Sequence, residues 1–377
     1  MTDPRTSLAL TPSRALPRID VDTATLTENT RALRRLCGAR GVAVVGVTKG
    51  LAGHPGAVRA LLDAGLPALA DARLANIRRI RAAGIDAHVQ LLRPPAPGEL
   101  PEAVRLCDTI FATAPETLAA LAHAARTAGR EVQVVLMADV GDLREGAPPA
   151  ELPAIAARAA RLDGLRIAGL GTNFACHRGL LPSRENLGRF MTLVEEIETL
   201  TGQPLEILSA GNSAALPFLQ SGALPPRINQ FRLGESLLLG HDAAEQRPLP
   251  GTRPDAFTLA AGILEIWTRD TAQTDPRAHI AFGHEPPALP QGTLRLAVLG
   301  LGAMDTDIAG LMPHSVGLCM LGYSSDHTVL DITARPDLRV ADVLHFGLSY
   351  SALARAMNMR DVNVALTNRT AAMMRVQ

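Results

Sequence analysis

The 377-residue sequence predicts an α/β protein, a (β/α)8 TIM-type barrel followed by a C-terminal, mainly-β domain. The first observation is that from about Ile19 to Gly240 short apolar runs alternate with amphipathic, alanine-rich stretches. The second is the number of repeats: the alternation occurs eight times, which fits a closed barrel better than an open, doubly wound sheet. The third is a change of character after about Pro248, where strand-like runs follow one another, divided by Gly, Pro and Asp, without amphipathic helices of similar length. The chain is also too long for one ordinary core. The expected domains are therefore residues 19–247 for the barrel and 248–377 for the β domain, with 1–18 as an N-terminal segment that could join the latter.

Taken in order, the barrel strands are expected at Val42 to Val47, Pro67 to Ala70, Ala87 to Leu91, Thr109 to Ala112, Glu131 to Met137, Ile167 to Leu170, Glu206 to Leu208 and Ile228 to Leu233. They are short, apolar and in part β-branched, as strands covered on both faces should be. Helices are expected between them at His54 to Ala64, Arg73 to Ala83, Pro115 to Ala128, Pro153 to Leu162, Arg184 to Leu200 and Ser213 to Gln220. In the second domain, "AAGILEIWTRD", "GTLRLAVLGLG", "SVGLCMLGYSSDHTVLDIT" and "DVLHFGLSYSALARAM" are strand-like, and the proline- and histidine-rich "DPRAHIAFGHEPPALPQG" is expected to be a loop.

Composition narrows the function. Thirty-seven basic and 37 acidic residues are interspersed and give no net charge, so neither a nucleic-acid surface nor an anionic-membrane surface is indicated. No apolar run approaches the roughly 18 residues needed to cross a bilayer. The N-terminal "MTDPRTSLALTPSRALPRIDVD" has no basic segment followed by a long apolar stretch, so the expected location is the cytoplasm. Cys37, Cys107, Cys176 and Cys319 lie far apart with no CxxC pair, and the ten histidines form no HExxH; neither a disulfide framework nor a metal site is expected.

Among 37 basic residues only Lys49, in "VAVVGVTKGLAGH", is a lysine. At an exposed site the two cations exchange at little cost, so a drift to arginine meets resistance only where a primary amine must lose its proton. A chance survivor is the alternative. The apolar run before Lys49 argues against it, because an ammonium at the end of a buried strand is expected to be partly desolvated and so to serve as nucleophile or base. Barrel active sites form at the carboxyl ends of strands. Those ends carry Lys49, Asp71 and Arg73, "GTNFACH" (Gly171 to His177), "SAGNSAA" (Ser209 to Ala215) and "FRLGE" (Phe231 to Glu235). Asn212 and Ser213 before a helix, with Gly234 after the last strand, suit a phosphate, and Glu235 beside it is counted among the cofactor-binding candidates; a Ser–Asn cap with no ligand is the alternative for the first pair. A phosphate cradle together with an imine-forming amine points to pyridoxal 5'-phosphate.

The blocks "VTKG", "ADARLANIRRIR", "GLGTNFACHRGLLPSREN", "LSAGNSAAL", "INQFRLGESLLLG" and "LGYSSDHTVLDIT" resemble, in order and spacing, the fold type III pyridoxal-phosphate enzymes of the alanine racemase type, closest to the ornithine racemase branch. The likeness runs from about Leu16 to the C-terminus. It implies that Lys49 binds the cofactor as a Schiff base and acts as one catalytic base. It places Asn173 against the pyridine face, Ser213, Gly234 and Tyr350 on the phosphate, Arg232 at the pyridine nitrogen and Ser325 near the substrate carboxylate. A turn residue for Asn173, a structural ion pair for Arg232 and a half-buried strand for Tyr350 are the alternatives. A permanent cation beside the ring nitrogen disfavours its protonation, which suits reversible proton transfer at Cα.

One departure is visible. The family's second base is a tyrosine from the neighbouring subunit, and Ala303 stands where it would be. Cys176 is the first local candidate to replace it, followed by His177, Asp326 and His327, the last two reaching across from a partner chain. The resemblance thus implies a homodimer with shared active sites that racemises or epimerises an amino acid. Asp305, in "DTDIAGLMP", could meet a cationic side chain such as that of ornithine, or be simply a solvated loop acid. Decarboxylation, aldol cleavage or β-elimination on the same cofactor, and a cofactor-binding protein without turnover, are the competing readings.

Overall fold

The computed structural model describes residues 16–272, 278–279, 285 and 288–368. The chain divides into two compact units: Ala24–Pro254, and the described residues up to Thr23 together with those from Asp255 onward. Most of the "DPRAHIAFGHEPPALPQG" segment and residues 1–15 of the N-terminal segment lie outside the described residues.

The chain enters through β1 (Arg18–Asp22) and α1 (Thr23–Gly38). Eight parallel strands follow: β2 (Ala43–Val47), β3 (Ala68–Asp71), β4 (His88–Leu91), β5 (Thr109–Phe111), β6 (Val132–Met137), β7 (Leu165–Gly171), β8 (Ile207–Ser209) and β9 (Gln230–Leu233). They pair in sequence order, and β9 pairs back onto β2, closing the barrel. Between and after them run α2 (Pro55–Asp63), α3 (Leu74–Ala82), α4 (Leu100–Leu106), α5 (Pro115–Thr127), α6 (Leu152–Ala159), α7 (Arg184–Thr201), α8 (Leu216–Gln220) and α9 (Glu235–Leu239). All eight strands fall where the apolar runs predict them. Helix α4 escaped the reading because prolines crowd its start; Pro101 is tolerated there since the first helical N–H groups have no intrahelical partner.

Alternate side chains of the strands fill the barrel. Val45 and Val47 pack with Ala68 and Ala70, and Phe111 packs with Val135 and Met137, with Leu92 against both groups. Helices are punctuated by local chemistry. Ser183 and Asn186 form a reciprocal cap on α7, and Gly202 ends it in the left-handed conformation. Such stiff walls hold the strand-end loops in fixed positions.

The second unit contains β10 (Phe257–Asp270), β11 (Thr293–Leu299), β12 (Leu311–Pro313), β13 (Cys319–Tyr323), β14 (Thr328–Asp331), β15 (Val343–Leu348), α10 (Tyr350–Asn358) and β16 (Asn363–Thr367). Its sheet runs β12-β15-β10-β11-β14-β13, and all of these pairings are antiparallel. Three expectations are corrected here. Residues 19–22, assigned to the barrel, form β1, which pairs antiparallel with β10 and parallel with β16 because the longer sheet offers it open edges. Residues 248–254, assigned to the β domain, stay with the barrel unit, where Asn29 donates to Arg253 O at 2.8 Å. Finally, "SYSALARAM" is helical rather than strand: Ser349 Oγ accepts from Ala352 N at 3.2 Å, and Ala352, Leu353, Ala356 and Met357 make one buried face.

Candidate active site

Lys49 follows β2 directly and opens a short 3-10 turn, Lys49–Leu51. The turn is held from below. Thr48 N donates to Ala70 O at 2.8 Å, and Thr48 Oγ1 donates to the buried carboxylate of Asp71 at 2.6 Å. Arg73 N and Asn76 Nδ2 complete the shell around Asp71, so a buried acid without a cationic partner fixes the end of β3. Burial pushes the Asp71 carboxyl above the usual carboxylate range, while the hydrogen bonds from Thr48, Arg73 and Asn76 pull the other way. The expectation of a partly desolvated Lys49 is not met within this chain. The side chain is exposed, in a turn beyond the strand's end, and makes no hydrogen bond or ion pair among the described residues.

On the other flank of β2, the ends of β7, β8 and β9 are tied together by side chains. Asn212 Nδ2 donates to Phe174 O at 2.6 Å and to Asn173 Oδ1 at 3.2 Å, and Asn212 Oδ1 caps the following turn through Ala214 N. Asn173 Nδ2 in turn reaches Cys176 Sγ at 3.2 Å and Glu145 Oε1 at 3.4 Å. Asn173 is therefore more than a turn residue; its amide links three loops. Asp142 accepts from the backbone N–H groups of Cys176, His177 and Arg178, which pins the loop bearing the exposed Cys176 thiol. Cys37 and Cys107 are buried, with thiols pushed up to about 12, chiefly by burial.

Arg232 projects into the barrel from β9. Its Nη1 donates to Ser209 O at 2.7 Å and its Nη2 to Thr172 O at 2.8 Å, and the guanidinium lies over the Phe111 ring at 5.2 Å. No ion pair is made among the described residues, so the structural ion-pair alternative does not hold. Burial pushes its pKa down to about 10, partly offset by the charge of Glu145, and it remains a cation at neutral pH. Among the described residues Nε has no hydrogen bond. Beyond it, Ser236 N donates to Ser213 Oγ at 3.2 Å, while the buried Ser236 Oγ has no partner. Glu235 turns its carboxylate to His241 Nε2 and Gln246 Nε2, both at 3.1 Å.

The residues expected from the second unit form a different cluster. Ala303 N donates to Ser324 O at 3.0 Å, Met304 N to Ser325 O at 2.9 Å, and Asp305 Oδ2 accepts from Gly302 N at 2.8 Å. Gly302 is required there, since a Cβ would stand 2.1 Å from Ser325 O. Burial, then the charges of Asp326 and Asp361, raises the Asp305 pKa. Asp326 and His327 are exposed at the tip between β13 and β14, and Tyr350 is the first residue of α10. The structure thus gathers Lys49, Asn173, Cys176, Asn212, Ser213, Arg232, Gly234 and Glu235 on the carboxyl ends of the barrel strands, and Ser325, Asp326, His327, Asp305 and Tyr350 in the β unit.

Two residues escaped the sequence reading. The loop after β6, "ADVGDLREG", was not counted among the strand ends, yet it carries Arg144 and Glu145, which pair with each other. The signal was present: a charged pair between glycines directly after a buried strand. Glu145 borders a cavity of about 290 Å³ at the ends of β4 to β6. Among the described residues no cluster of side chains suits a metal ion, and no helix is long and apolar enough to cross a membrane.

A closed parallel barrel with a lysine, a buried arginine and a serine-bearing turn at the carboxyl ends of its strands has the layout of a barrel enzyme. Comparison with known proteins names the family. The family model "Alanine racemase, N-terminal domain" matches residues 21–242. A lysine racemase of Thermotoga maritima is 35% identical over 341 residues, 90% of this chain and 96% of the relative. An ornithine racemase of Acetoanaerobium sticklandii is 31% identical over the same shares of the two chains. Among solved structures, an alanine racemase of Clostridium difficile 630 shares the fold with a TM-score of 0.74 at 20% identity, covering 93% of this chain and 96% of its own. The chain belongs to the alanine racemase family. It is an isomerase of the amino-acid racemase class.

Proposed function

We propose that the protein is a pyridoxal-phosphate-dependent racemase of basic amino acids, with lysine or ornithine as substrate. The names of its relatives support the substrate class. The observation that carries the cofactor reading is Arg232: a buried guanidinium held by Ser209 and Thr172, with Nε free and no carboxylate paired to it among the described residues. The residues present fit the cofactor. Ser236 Oγ, without a partner among the described residues, and the adjacent Ser213 hydroxyl leave hydrogen-bonding capacity for a phosphate, with Gly234 admitting a close approach. Lys49 Nζ would hold the aldehyde carbon.

When bound, the cofactor supplies an electron-withdrawing ring that acidifies the substrate Cα–H. The rest falls to the chain. Arg232 keeps a positive charge where the ring nitrogen would lie and so disfavours protonation there, limiting side reactions that need a longer-lived carbanion. Asn173, fixed by Asn212 and in contact with the Cys176 thiol, would back the ring face of the bound cofactor. Lys49 Nζ takes the proton from one face of Cα, and Cys176 Sγ returns one to the other, in place of the tyrosine absent at Ala303. Asp326 and His327 stand as further proton donors, Ser325 as a contact for the substrate carboxylate. The reading extends to a cytoplasmic homodimer with shared active sites, for which the exposed Met312, Val316 and Leu366 of the β unit offer apolar surface. The test is to load purified protein with pyridoxal phosphate, remove the excess, and follow each enantiomer of lysine and ornithine by chiral chromatography. Inversion to a racemate is expected; release of CO2, aldehyde or ammonia, or no turnover of any amino acid, would overturn it.

A further inference from the structure

The cavity beside Glu145 lies at the carboxyl ends of β4, β5 and β6, away from Lys49 along the barrel rim. Its volume, about 290 Å³, is at the small end of the range for ligand sites. Leu92, Phe111, Met137 and Ile155 give it apolar walls, and its lining contains two acids, Glu145 and Glu151, and no basic residue. It adjoins the proposed catalytic groups through two shared contacts. Phe111 forms a wall of the cavity and also lies under the Arg232 guanidinium, and Glu145 accepts from Asn173.

The loop holding Glu145 is built rather than loose. Asp139 N donates to Ala147 O at 3.0 Å and Ala147 N to Met137 O at 2.9 Å, so the loop returns to the strand it left. Gly146 makes the turn at φ +113°, and a Cβ there would stand 2.8 Å from Met137 O. The carboxylate next to it is thereby fixed at the cavity edge, partly buried, and among the described residues it meets the more exposed Arg144 and the Asn173 amide.

We propose that this cavity receives the substrate side chain and that Glu145 binds its terminal ammonium, making Glu145 the specificity-determining residue for α,ω-diamino acids. The proposal rests on the racemase reading above and gives it a structural basis for substrate choice. Methylenes gain by leaving water for the apolar walls, whereas an ammonium entering such walls without a counter-charge would be costly. Glu145 supplies that charge, and an entering ammonium would share the carboxylate with Arg144. A neutral side chain of equal length would fill the same space but give the carboxylate no second cation, leaving it with Arg144 alone, so discrimination rests on the added ammonium contact.

The experiment compares L-lysine with L-norleucine, which lacks the amine, on wild-type holoenzyme, Glu145→Gln and Glu145→Asp. The ratio of kcat/KM for lysine over norleucine should fall about 30-fold in Glu145→Gln, as expected for one charged hydrogen bond, with Glu145→Asp in between. Calorimetric binding of the two ligands to the same holoproteins should show the same order without depending on turnover. Loss of the Arg144 pair should leave the fold intact, because a partly exposed pair contributes little. A wild-type ratio near one, or a ratio within about twofold of wild type in Glu145→Gln, overturns the assignment. Failure of wild-type enzyme to invert either amino acid overturns the racemase reading instead, and calorimetry then still decides whether the cavity selects the amine.

Discussion

The barrel mouth and the turn at Gly302–Asp305 in the β unit both bring together reactive residue types, but their polar atoms are used differently. At the turn, Asp305 caps Gly302, and the backbone around Ser324 and Ser325 is bonded to Ala303 and Met304. At the mouth, Lys49 is unpaired, Arg232 keeps Nε free, Ser236 Oγ is orphaned and Glu145 borders a cavity. Hydrogen bonds that satisfy a group spend its capacity on folding. A group held rigidly with capacity to spare is available for chemistry.

The largest effect that would break this contrast belongs to Lys49. Lys49→Arg keeps the charge but cannot form an imine, so activity should fall by about 10³-fold or more. Borohydride treatment of the loaded wild type should leave the cofactor's mass on the Lys49 peptide, and the variant should carry none. Mass on another peptide would remove the mouth from the reaction.

A smaller effect concerns what holds the mouth in place. Asp71→Asn preserves hydrogen bonds to Thr48 and Arg73, so the variant should fold and lie within about 1 kcal/mol of the parent at neutral pH. The sign of its pH dependence is definite. Because burial raises the Asp71 pKa in the folded state, its contribution is fully present below the unfolded pKa and is lost as pH rises through the folded value. Denaturation of both proteins from acid to neutral pH should therefore show the parent losing stability relative to the variant as pH rises. Parallel curves would mean that Asp71 is not strained by burial.

The smallest expected effect sharpens the comparison from the other side. Asp305→Asn retains a carbonyl oxygen to cap Gly302, and the lysine-over-norleucine ratio should stay within about twofold of wild type. A drop as large as that of Glu145→Gln would move amine recognition to the β unit.

Much of this was readable in one dimension. Period and apolar runs placed every barrel strand because a strand buried on both faces has few sequence solutions, and the lone lysine stood out because guanidinium cannot replace its chemistry. The change to strand-like runs near Pro248 announced the β unit. Local reading failed where a short-range signal was ambiguous or a partner was distant. "SYSALARAM" looked strand-like until Ser349 capped it, and Ile19–Asp22 looked like barrel until β10 and β16 claimed it. The linkage of Asn173 with Asn212 joins groups 39 positions apart, and the cavity beside Glu145 is walled by residues from Leu92 to Ile155, all meeting across neighbouring strands. Sequence alone determined which residue types and elements exist, since these follow from backbone propensity and burial. Which polar atoms are satisfied and which remain free was decided only by the closed barrel, because hydrogen-bond capacity is a property of neighbours in space.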